Sequence, residues 1–496
     1  MTAGAADRQA GILVLFGAGG DLAARLVIPA LYALYHQDKL PQPFRLLAVD
    51  REALSPQALG KHWQGFAKHS DVFDTKTWRD FMSHLACQAL DATDPQDFKT
   101  LRAPIADFEK QAGKAHRIFY TAVPPSLFAP IAKGLTTAEL NRPVKRTRLI
   151  VEKPLGYDID SFRMLNETLR EGFEETQIYR IDHFLGKETV QNILALRFAN
   201  PIFEPLWNRQ YIRQVVVDVS ESLGVEHRAG YYEKAGALRD MIQNHLIQLL
   251  TLVAMEPPAT YEAEDLRNRK MDVMYALRPI ERAHAHAVRG QYAAGRIAGK
   301  PVPGYREETG VAADSNTETF AALRLHIDNW RWEGVPFILR TGKRLDEKRS
   351  EIRIHFKPTP HRAFPATARD GTHRDCLCLH LQPQEGISLR FHAKAPGQPL
   401  RLQDVNMKFD YQESFQGHEP TAYETLIHDA LHGDATLFMR ADQAEAAWRL
   451  VQPVLDHWAA TTAEDFPNYP AGSRGPEAAE RLFTTLQDGE PDGDTA

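Results

Sequence analysis

Acid, imidazole and ammonium groups lie close together in the stretch Arg180-Ile181-Asp182-His183-Phe184-Leu185-Gly186-Lys187-Glu188. If this stretch opens a helix, the i, i+4 spacing puts His183 and Lys187 on one face, near a helix N-terminus that favours anions. The two side chains would then grip a phosphate-like group while Asp182 turns elsewhere. A capped, solvated helix start would use the same residue types, so the rest of the sequence must decide between the two interpretations.

A second polar set lies on a predicted helix over residues 236–251, which carries Asp240 and His245. At about 100° per residue the two side chains diverge by about 140°, which places them on different walls of a cleft. Imidazole is suited to remove a hydroxyl proton, and a carboxylate on its other nitrogen would fix its tautomer. We predict that His245 is such a base and Asp182 its carboxylate. A histidine held only by structural hydrogen bonds is the alternative.

The elements that would position these groups begin with a glycine turn. The apolar run Gly11 to Phe16 has strand length and leads through Gly17-Ala18-Gly19-Gly20-Asp21 into a helical pattern that reaches about Tyr35. A buried strand followed by glycines and a helix brings backbone N–H groups to a pyrophosphate. The spacing matches the dinucleotide fingerprint only in part, and a turn that needs glycine for backbone reasons alone is the other interpretation.

A second predicted strand, Phe44 to Val49, ends at Asp50-Arg51, where a dinucleotide fold contacts the adenosine ribose. The two residues favour different coenzymes, because an acid accepts the 2′-hydroxyl of NAD and an arginine pairs with the 2′-phosphate of NADP. We rank NADP first and NAD second. An ordinary strand end with a solvated charge pair is the alternative.

Two more buried strands are predicted at 117–122 and 148–151, and each ends in a proline-marked loop. Ligands bind at this edge of open α/β sheets, so Lys153 of Glu152-Lys153-Pro154 is expected to face the coenzyme. The bond before Pro154 is a candidate for the cis isomer. After Pro201 the pattern changes to alternating strands at 213–220, 319–325, 351–356, 376–381 and 387–393, with helices at 236–251, 423–432 and 441–458.

These patterns predict a Rossmann-like α/β domain over 1–190 and a larger α+β domain over 191–487, with a mostly antiparallel sheet covered by helices. Residues 488–496 form a polar, acidic tail that we expect to be disordered. The net charge of −6 gives no overall attraction to nucleic acid or an anionic membrane. No signal peptide or membrane-spanning run is evident, which indicates a cytoplasmic protein. The three cysteines complete no zinc-like spacing, so no metal is expected, and Cys376 and Cys378 are predicted to be buried thiols.

The chain resembles the glucose-6-phosphate dehydrogenase family from Gly17 to about Phe483. The most specific match is the stretch from Arg180 to Glu188, which is the family signature. Supporting motifs are Gly17-x-x-Gly20-Asp21-Leu22-Ala23, Glu152-Lys153-Pro154-Leu155-Gly156, Gly230-Tyr231-Tyr232, Asp240-Met241-Ile242-Gln243-Asn244-His245, Arg340-Thr341-Gly342-Lys343 and Tyr469-Pro470-Ala471-Gly472-Ser473-Arg474-Gly475-Pro476.

The resemblance implies oxidation of β-D-glucose 6-phosphate at C1 to the 6-phospholactone, with hydride transfer to NADP or NAD, at the start of the oxidative pentose phosphate and Entner–Doudoroff routes. It implies that His245 is the base, held by Asp182. Implied substrate-binding residues are Lys153, His183, Lys187, Glu221, Asp240, Lys343 and, less directly, Lys348. Implied coenzyme-binding residues are Gly17, Gly20, Asp21, Leu22, Asp50, Arg51 and Lys153. It also implies a homodimer or homotetramer joined through the large sheet.

Three residues depart from the family pattern. Phe184 replaces a frequent Tyr, Leu26 replaces a frequent Lys, and Asp50 replaces a small residue. These changes bear on substrate affinity and coenzyme choice. Two other functions compete: a dehydrogenase of an unphosphorylated sugar or polyol, which would not need His183 and Lys187, and a non-catalytic regulatory relative, which would be expected to have lost His245 or Asp182.

Overall fold

The computed structural model describes residues 10–483 except 362, 366–367, 369–372, 398–399 and 416. The expected acidic tail lies outside the described residues. Two compact units comprise Met1–Glu188 with Pro258–Arg267 and Gly417–Glu445, and Thr189–Pro257 with Asn268–Gln416 and Ala446–Ala496. The first break falls next to the predicted division at 190. The predicted domains were contiguous in sequence, so they placed Pro258–Arg267 and Gly417–Glu445 in the second domain, whereas the structure groups both segments with the first unit.

A six-stranded parallel sheet forms the first unit. Its strands are β1 Gly11–Phe16, β2 Phe44–Asp50, β3 Leu85–Ala89, β4 His116–Thr121, β5 Thr147–Val151 and β6 Ile178–Arg180. The order β3-β2-β1-β4-β5-β6 is that of a dinucleotide-binding fold, with the switch point between β1 and β4. Every residue of β1 and β5 is buried, which explains their unbroken apolar runs.

An eight-stranded sheet forms the second unit, in the order β17-β16-β15-β14-β7-β13-β12-β8. Its strands are β7 Ile212–Ser220, β8 Ala287–Gly290, β12 Phe320–Leu325, β13 Phe337–Gly342, β14 Arg349–Phe356, β15 Cys376–Gln382, β16 Gly386–Lys394 and β17 Leu402–Asp410. All pairings are antiparallel except the one between β7 and β13. The predicted mostly antiparallel sheet is confirmed, and the parallel pair at its centre was not foreseen.

Short strands complete the second unit: β9 Tyr292–Ala293, β10 Gly295–Ile297, β11 Lys300–Val302 and β18 Tyr469–Pro470. The α-helices are α1 Ile28–His36, α2 Pro56–Ala67, α3 Thr75–Ser83, α4 Arg102–Ala112, α5 Phe128–Thr137, α6 Ile159–Gly172, α7 Glu188–Phe198, α8 Ala229–Ala237, α9 Ile247–Ala254, α10 Ala263–Ala276, α11 Ala283–His286, α12 Tyr411–Ser414, α13 Ala422–His432 and α14 Ala441–Ala460. Two further segments, Ala23–Val27 and Leu238–Leu246, are π-helical.

Each unit has its own apolar core. In the first, β1 and β2 pack against α1, α2 and α13 through residues such as Leu13, Tyr32 and Trp63. In the second, Tyr292, Tyr305, Phe320 and other buried side chains form a cluster rich in aromatic rings. Among the helices within the described part of the chain, none is both long and apolar enough to cross a membrane.

Candidate active site

The glycine turn after β1 is held by backbone hydrogen bonds to the neighbouring strand. The N–H groups of Gly17 and Ala18 donate to the carbonyl oxygen of Val49 at 3.0 and 3.2 Å. Gly17 has a φ of +75°, and a Cβ there would lie 2.3 Å from the carbonyl oxygen of Ala122. Only glycine fits this position, and the turn lies at the switch point of the sheet. The cradle therefore fits the pyrophosphate of a dinucleotide.

Asp50 ties the end of β2 to this turn. One carboxylate oxygen accepts the Gly19 N–H at 2.9 Å, and the other accepts the Arg51 N–H at 2.8 Å. Arg51 is exposed, as is Asp21, whose carboxylate pairs with Arg25 one helical turn further on. The end of β2 thus presents both Asp50, the residue type that favours NAD, and Arg51, the residue type that favours NADP.

Lys153 is the second residue after β5, and the Lys153–Pro154 peptide bond is cis. The preceding residue, Glu152, is buried and accepts a hydrogen bond from the Tyr120 hydroxyl at 2.6 Å. Burial raises the pKa of the Glu152 carboxyl, although hydrogen bonds from Tyr120 and Tyr423 oppose that effect. Lys153 therefore extends from a loop whose base is fixed inside the first unit.

The stretch 182–187 forms a turn, so our prediction of a helix that begins at Asp182 was wrong. The helix α7 begins at Glu188, and the preceding backbone makes i to i+3 bonds from Leu185 to Asp182 and from Lys187 to Phe184. The buried Asp182 carboxylate accepts the N–H of Phe184 at 2.9 Å, which stabilises the turn in place of a helical turn. The helical face proposed for His183 and Lys187 does not exist.

In place of a shared helical face, His183 and Lys187 both lie against the buried ring of Phe184. The Lys187 ammonium lies 3.9 Å from the ring centroid of Phe184, and the His183 ring centroid lies 5.0 Å from it. The turn also requires glycine at position 186, because a Cβ on Gly186 would lie 2.5 Å from the carbonyl oxygen of Ala422 in α13. The two candidate phosphate-binding residues therefore share an aromatic neighbour, a role of Phe184 that the sequence did not indicate.

In the second unit, Asp240 and His245 lie on the π-helical segment Leu238–Leu246. In a π-helix, hydrogen bonds join residues five apart, so Asp240 and His245 are one turn apart on the same side. The predicted divergence of about 140° assumed an α-helix and was wrong. At the end of the segment, the N–H of Ile247 reaches the carbonyl oxygen of Ile242, five residues back.

Both residues of this π-helical pair are buried. His245 has no exposed surface in the structure and Asp240 is 6% exposed. The Tyr231 hydroxyl donates to the Asp240 carboxylate at 3.1 Å, and burial together with this carboxylate raises the pKa of Tyr231. Tyr231, which lies within the motif Gly230-Tyr231-Tyr232, is thus a functional candidate that the sequence alone did not indicate.

Glu318 holds the start of the π-helical segment. Its side chain accepts the N–H of Leu238 at 3.0 Å and its carbonyl oxygen accepts the N–H of Ala237 at 3.0 Å. Gly236, with a φ of +64°, makes the kink between α8 and the segment, and a Cβ there would lie 2.3 Å from the Glu318 carboxylate. Burial raises the pKa of Glu318. No sequence pattern singled out this residue.

Glu221 and Lys343 form a direct ion pair at the ends of the parallel strands β7 and β13. The Lys343 ammonium donates to the Glu221 carboxylate at 2.7 Å and lies 5.1 Å from the ring centroid of Tyr232. The Lys343 carbonyl oxygen accepts the Tyr469 hydroxyl at 2.8 Å. The structure therefore brings together two predicted site residues that are 122 positions apart. Lys348 is exposed further along the same loop.

The chain is similar to proteins of one known family over nearly its whole length. The family description "Glucose-6-phosphate dehydrogenase, NAD binding domain" matches residues 14–192, and "Glucose-6-phosphate dehydrogenase, C-terminal domain" matches residues 194–489. The chain is 44% identical to the glucose-6-phosphate 1-dehydrogenase of Treponema pallidum over 483 residues, which covers 95% of this chain and 93% of that protein. It is 42% identical to the enzyme of Bacillus subtilis, over 95% of this chain and 96% of that protein.

A solved structure described as glucose-6-phosphate dehydrogenase in complex with its substrate glucose-6-phosphate matches with a TM-score of 0.87 and 35% identity. The match covers 97% of this chain and 99% of that chain. The family matches extend over both units, and the fold agrees with that of the solved structure. The chain therefore belongs to the glucose-6-phosphate dehydrogenase family of NAD(P)-dependent oxidoreductases.

Proposed function

We propose that this chain carries out the family reaction on β-D-glucose 6-phosphate with His245 as the catalytic base. The observation that carries the assignment is the π-helical segment Leu238–Leu246, which puts Asp240 and His245 on one side of a helix. π-Helical turns are rare and frequently occur at functional sites. A helix that served only the core would have no need of this geometry or of two buried polar side chains.

The proposed chemistry takes place at C1 of the sugar. The imidazole of His245 takes the proton of the C1 hydroxyl, the C1–H bond breaks and the C1–O bond becomes the carbonyl of 6-phospho-D-glucono-1,5-lactone. The nicotinamide of the bound coenzyme supplies the hydride acceptor. Asp182 is proposed to orient the imidazole and to stabilise the imidazolium that forms.

Separate groups are proposed to bind the two ends of the substrate. His183 and Lys187, both in contact with the Phe184 ring, would bind the phosphate, for which cationic donors are suited. Asp240 and Glu221 would accept hydrogen bonds from sugar hydroxyls. Lys343, together with Lys348 further along the same loop, would supply positive charge after the end of β13.

For the coenzyme, we propose that the turn of Gly17 and Gly20, with Asp21 and Leu22 at the start of the following helix, binds the pyrophosphate and that Lys153 lies beside the nicotinamide. Arg51 would bind the 2′-phosphate of NADP. Asp50 has both carboxylate oxygens engaged by backbone N–H groups, which supports NADP ahead of NAD because an engaged acid is a poorer acceptor for the ribose 2′-hydroxyl.

The test is an initial-rate comparison of glucose 6-phosphate with glucose, each with NADP and with NAD. We expect a large preference for the phosphorylated sugar in kcat/KM and a higher kcat/KM with NADP. Arg51→Ala should lower kcat/KM with NADP and leave that with NAD nearly unchanged. Equal rates on glucose and glucose 6-phosphate would overturn the substrate assignment, and an equal loss with both coenzymes would overturn the role of Arg51.

We also propose a homodimer or homotetramer joined through the eight-stranded sheet. The outer strands support this assembly, because most residues of β16 and β17 are only partly buried in one chain. Met407 on β17 is 62% exposed, an apolar side chain that a partner could cover. Sedimentation of the purified chain gives the stoichiometry, and a monomer at micromolar concentration would contradict the proposal.

A further inference from the structure

Three side chains with metal-ligating atoms converge across two strands of the eight-stranded sheet. Glu351 on β14 faces His380 on β15 in the pairing register, and Cys378 lies on the same side of β15. The Cys378 sulfur is 3.4 Å from Glu351 Oε2 and 3.5 Å from His380 Nδ1, and that nitrogen is 3.5 Å from Glu351 Oε2. The three atoms thus form a nearly equilateral triangle.

These separations are the ones that a tetrahedral zinc ion requires. Zinc bonds of about 2.3 Å to sulfur and about 2.0–2.1 Å to nitrogen or oxygen, at tetrahedral angles, place the ligand atoms roughly 3.3–3.6 Å apart. An ion just above the plane of the triangle would therefore reach all three atoms without a strand shift. A sulfur, an imidazole and a carboxylate together suit zinc and related thiophilic ions, whereas magnesium and calcium prefer oxygen ligands alone.

A neighbouring hydroxyl fixes the histidine in the orientation that a metal ligand needs. His380 Nε2 lies 2.9 Å from the Ser388 hydroxyl on β16, the next strand of the sheet. In the tautomer that carries its proton on Nε2 and donates it to Ser388, the ring offers the lone pair of Nδ1 to an ion held between Cys378 and Glu351. Second partners of this kind typically orient metal-bound histidines.

The two oxygens of the Glu351 carboxylate face different partners. Oε1 faces the Nε atoms of Arg349 and Arg353 at 3.3 and 3.4 Å, while Oε2 faces the thiol and the imidazole. Burial alone would raise the pKa of Glu351, but the His380 contact and the two arginines outweigh it and lower the pKa to about 2. Burial also raises the pKa of the Cys378 thiol.

We propose that Glu351, Cys378 and His380 form a site for a zinc-type divalent cation. Binding replaces the S–H bond by a sulfur–metal bond and releases one proton to solvent, so the carboxylate and thiolate together neutralise the ion. Arg349 and Arg353 remain on Oε1 and favour the thiolate form. The His380 side chain is 36% exposed, whereas that of Glu351 is 8% exposed, so the ion enters past the histidine and takes water as its fourth ligand.

Cobalt titration of the chelator-treated, full-length protein tests the site. Co²⁺ bound to a thiolate gives an intense charge-transfer absorption, and we expect one equivalent per chain, displaced by Zn²⁺. Cys378→Ser should abolish the band. Cys376→Ser is the matched control, since it removes the neighbouring thiol on the same strand and should keep the band.

The remaining variants test the geometry. Glu351→Gln and His380→Asn should each weaken cobalt binding at least about 100-fold, and Ser388→Ala, which removes only the orienting hydroxyl, about 10–100-fold. Should Cys378→Ser fail to fold, the decision rests on Glu351→Gln and His380→Asn, read by cobalt absorption and by thermal unfolding with and without Zn²⁺. The proposal is overturned if wild type gives no thiolate band, if the band survives in Cys378→Ser, or if Cys376→Ser removes it equally.

Discussion

The two units build their candidate binding groups in opposite ways. The first offers backbone N–H groups from a glycine turn that hydrogen bonds hold against the end of β2. The second offers charged side chains paired with one another, such as Glu221 with Lys343. Backbone groups suit the pyrophosphate of a coenzyme that recurs across many enzymes, whereas paired side chains can match one particular sugar. We therefore expect substitutions at the glycine turn to alter coenzyme binding, and substitutions at the candidate base and the paired side chains of the second unit to alter kcat or the KM for glucose 6-phosphate.

The largest effect is expected in the second unit at His245. His245→Asn should lower kcat by about 10²–10⁴-fold while glucose 6-phosphate still binds, because the amide cannot accept the hydroxyl proton. Turnover numbers and substrate binding by calorimetry check this result. His284→Asn, a histidine outside the candidate site in the same unit, is the control. A near-normal kcat in His245→Asn would show that the catalytic base does not lie on the π-helical segment.

The next effect is expected at the glycine turn of the first unit. Gly17→Ala should weaken coenzyme binding at least about tenfold and destabilise the fold by about 1–3 kcal/mol, since the new Cβ meets a carbonyl oxygen at positive φ. Coenzyme titration and urea unfolding measure the two parts. The matched control is Gly113→Ala, where φ is +83° with open space around the Cβ. If both variants bind coenzyme equally well, close backbone approach is not what the turn provides.

The Glu221–Lys343 pair tests whether paired side chains act as one unit. Glu221→Gln and Lys343→Gln should each raise the KM for glucose 6-phosphate. In the double variant, the losses should fall short of additivity by about 1 kcal/mol, because the second change removes a partner already lost. KM values from the four proteins of the cycle provide the coupling energy. Additive losses would mean that the 2.7 Å contact is not maintained when substrate binds.

Both units contain a histidine that folding keeps neutral. Burial and nearby arginines lower the pKa of His116 in the first unit and of His326 in the second to about 4, below the ordinary value of 6.5. The unfolded chain therefore binds more protons between these values, and stability present above about pH 6.5 is lost as the pH falls toward 4.

Replacement of either histidine should reduce this acid sensitivity. His116→Asn or His326→Asn should diminish the loss of unfolding free energy between pH 7 and pH 5 by about 1 kcal/mol, with allowance for partial exposure. Urea unfolding at the two pH values measures it. The exposed His69 provides the control variant His69→Asn. An unchanged pH slope in both buried-site variants would contradict the assignment.

The smallest effect concerns the side-chain cluster of the first unit. Phe184→Leu removes the ring 3.9 Å from the Lys187 ammonium, a contact worth about 0.5–1 kcal/mol, so KM for glucose 6-phosphate should rise a few-fold. Phe184→Tyr keeps the ring and should retain at least the affinity of the wild type. Equal KM values in all three proteins would show that the ring does not position the lysine.

Local pattern was enough for the family and for most strands of the parallel sheet, although β3, β8 and β17 were not predicted. The predicted strand Gly11 to Phe16 has the observed bounds, and the other predicted strands of both sheets lie within a residue or two of the observed ones. Buried parallel strands are unbroken apolar runs, so this signal lies in neighbouring residues. The strand Phe337–Gly342 escaped prediction although it lies beside β7, because a short apolar segment with a polar end does not alternate.

By itself, the sequence determined the residue types: a candidate base, its candidate partners, two cationic candidates and a glycine turn in the order of one family. Only the tertiary structure decided their geometry. The turn at 182–187 replaced the expected helix because Asp182 binds the backbone of Phe184, and the π-helical segment aligned Asp240 with His245. Glu351 meets Cys378 across 27 positions through strand pairing, which no spacing along the chain encodes. Side-chain convergence of this kind depends on register between strands, and register is set by the packing of the whole sheet.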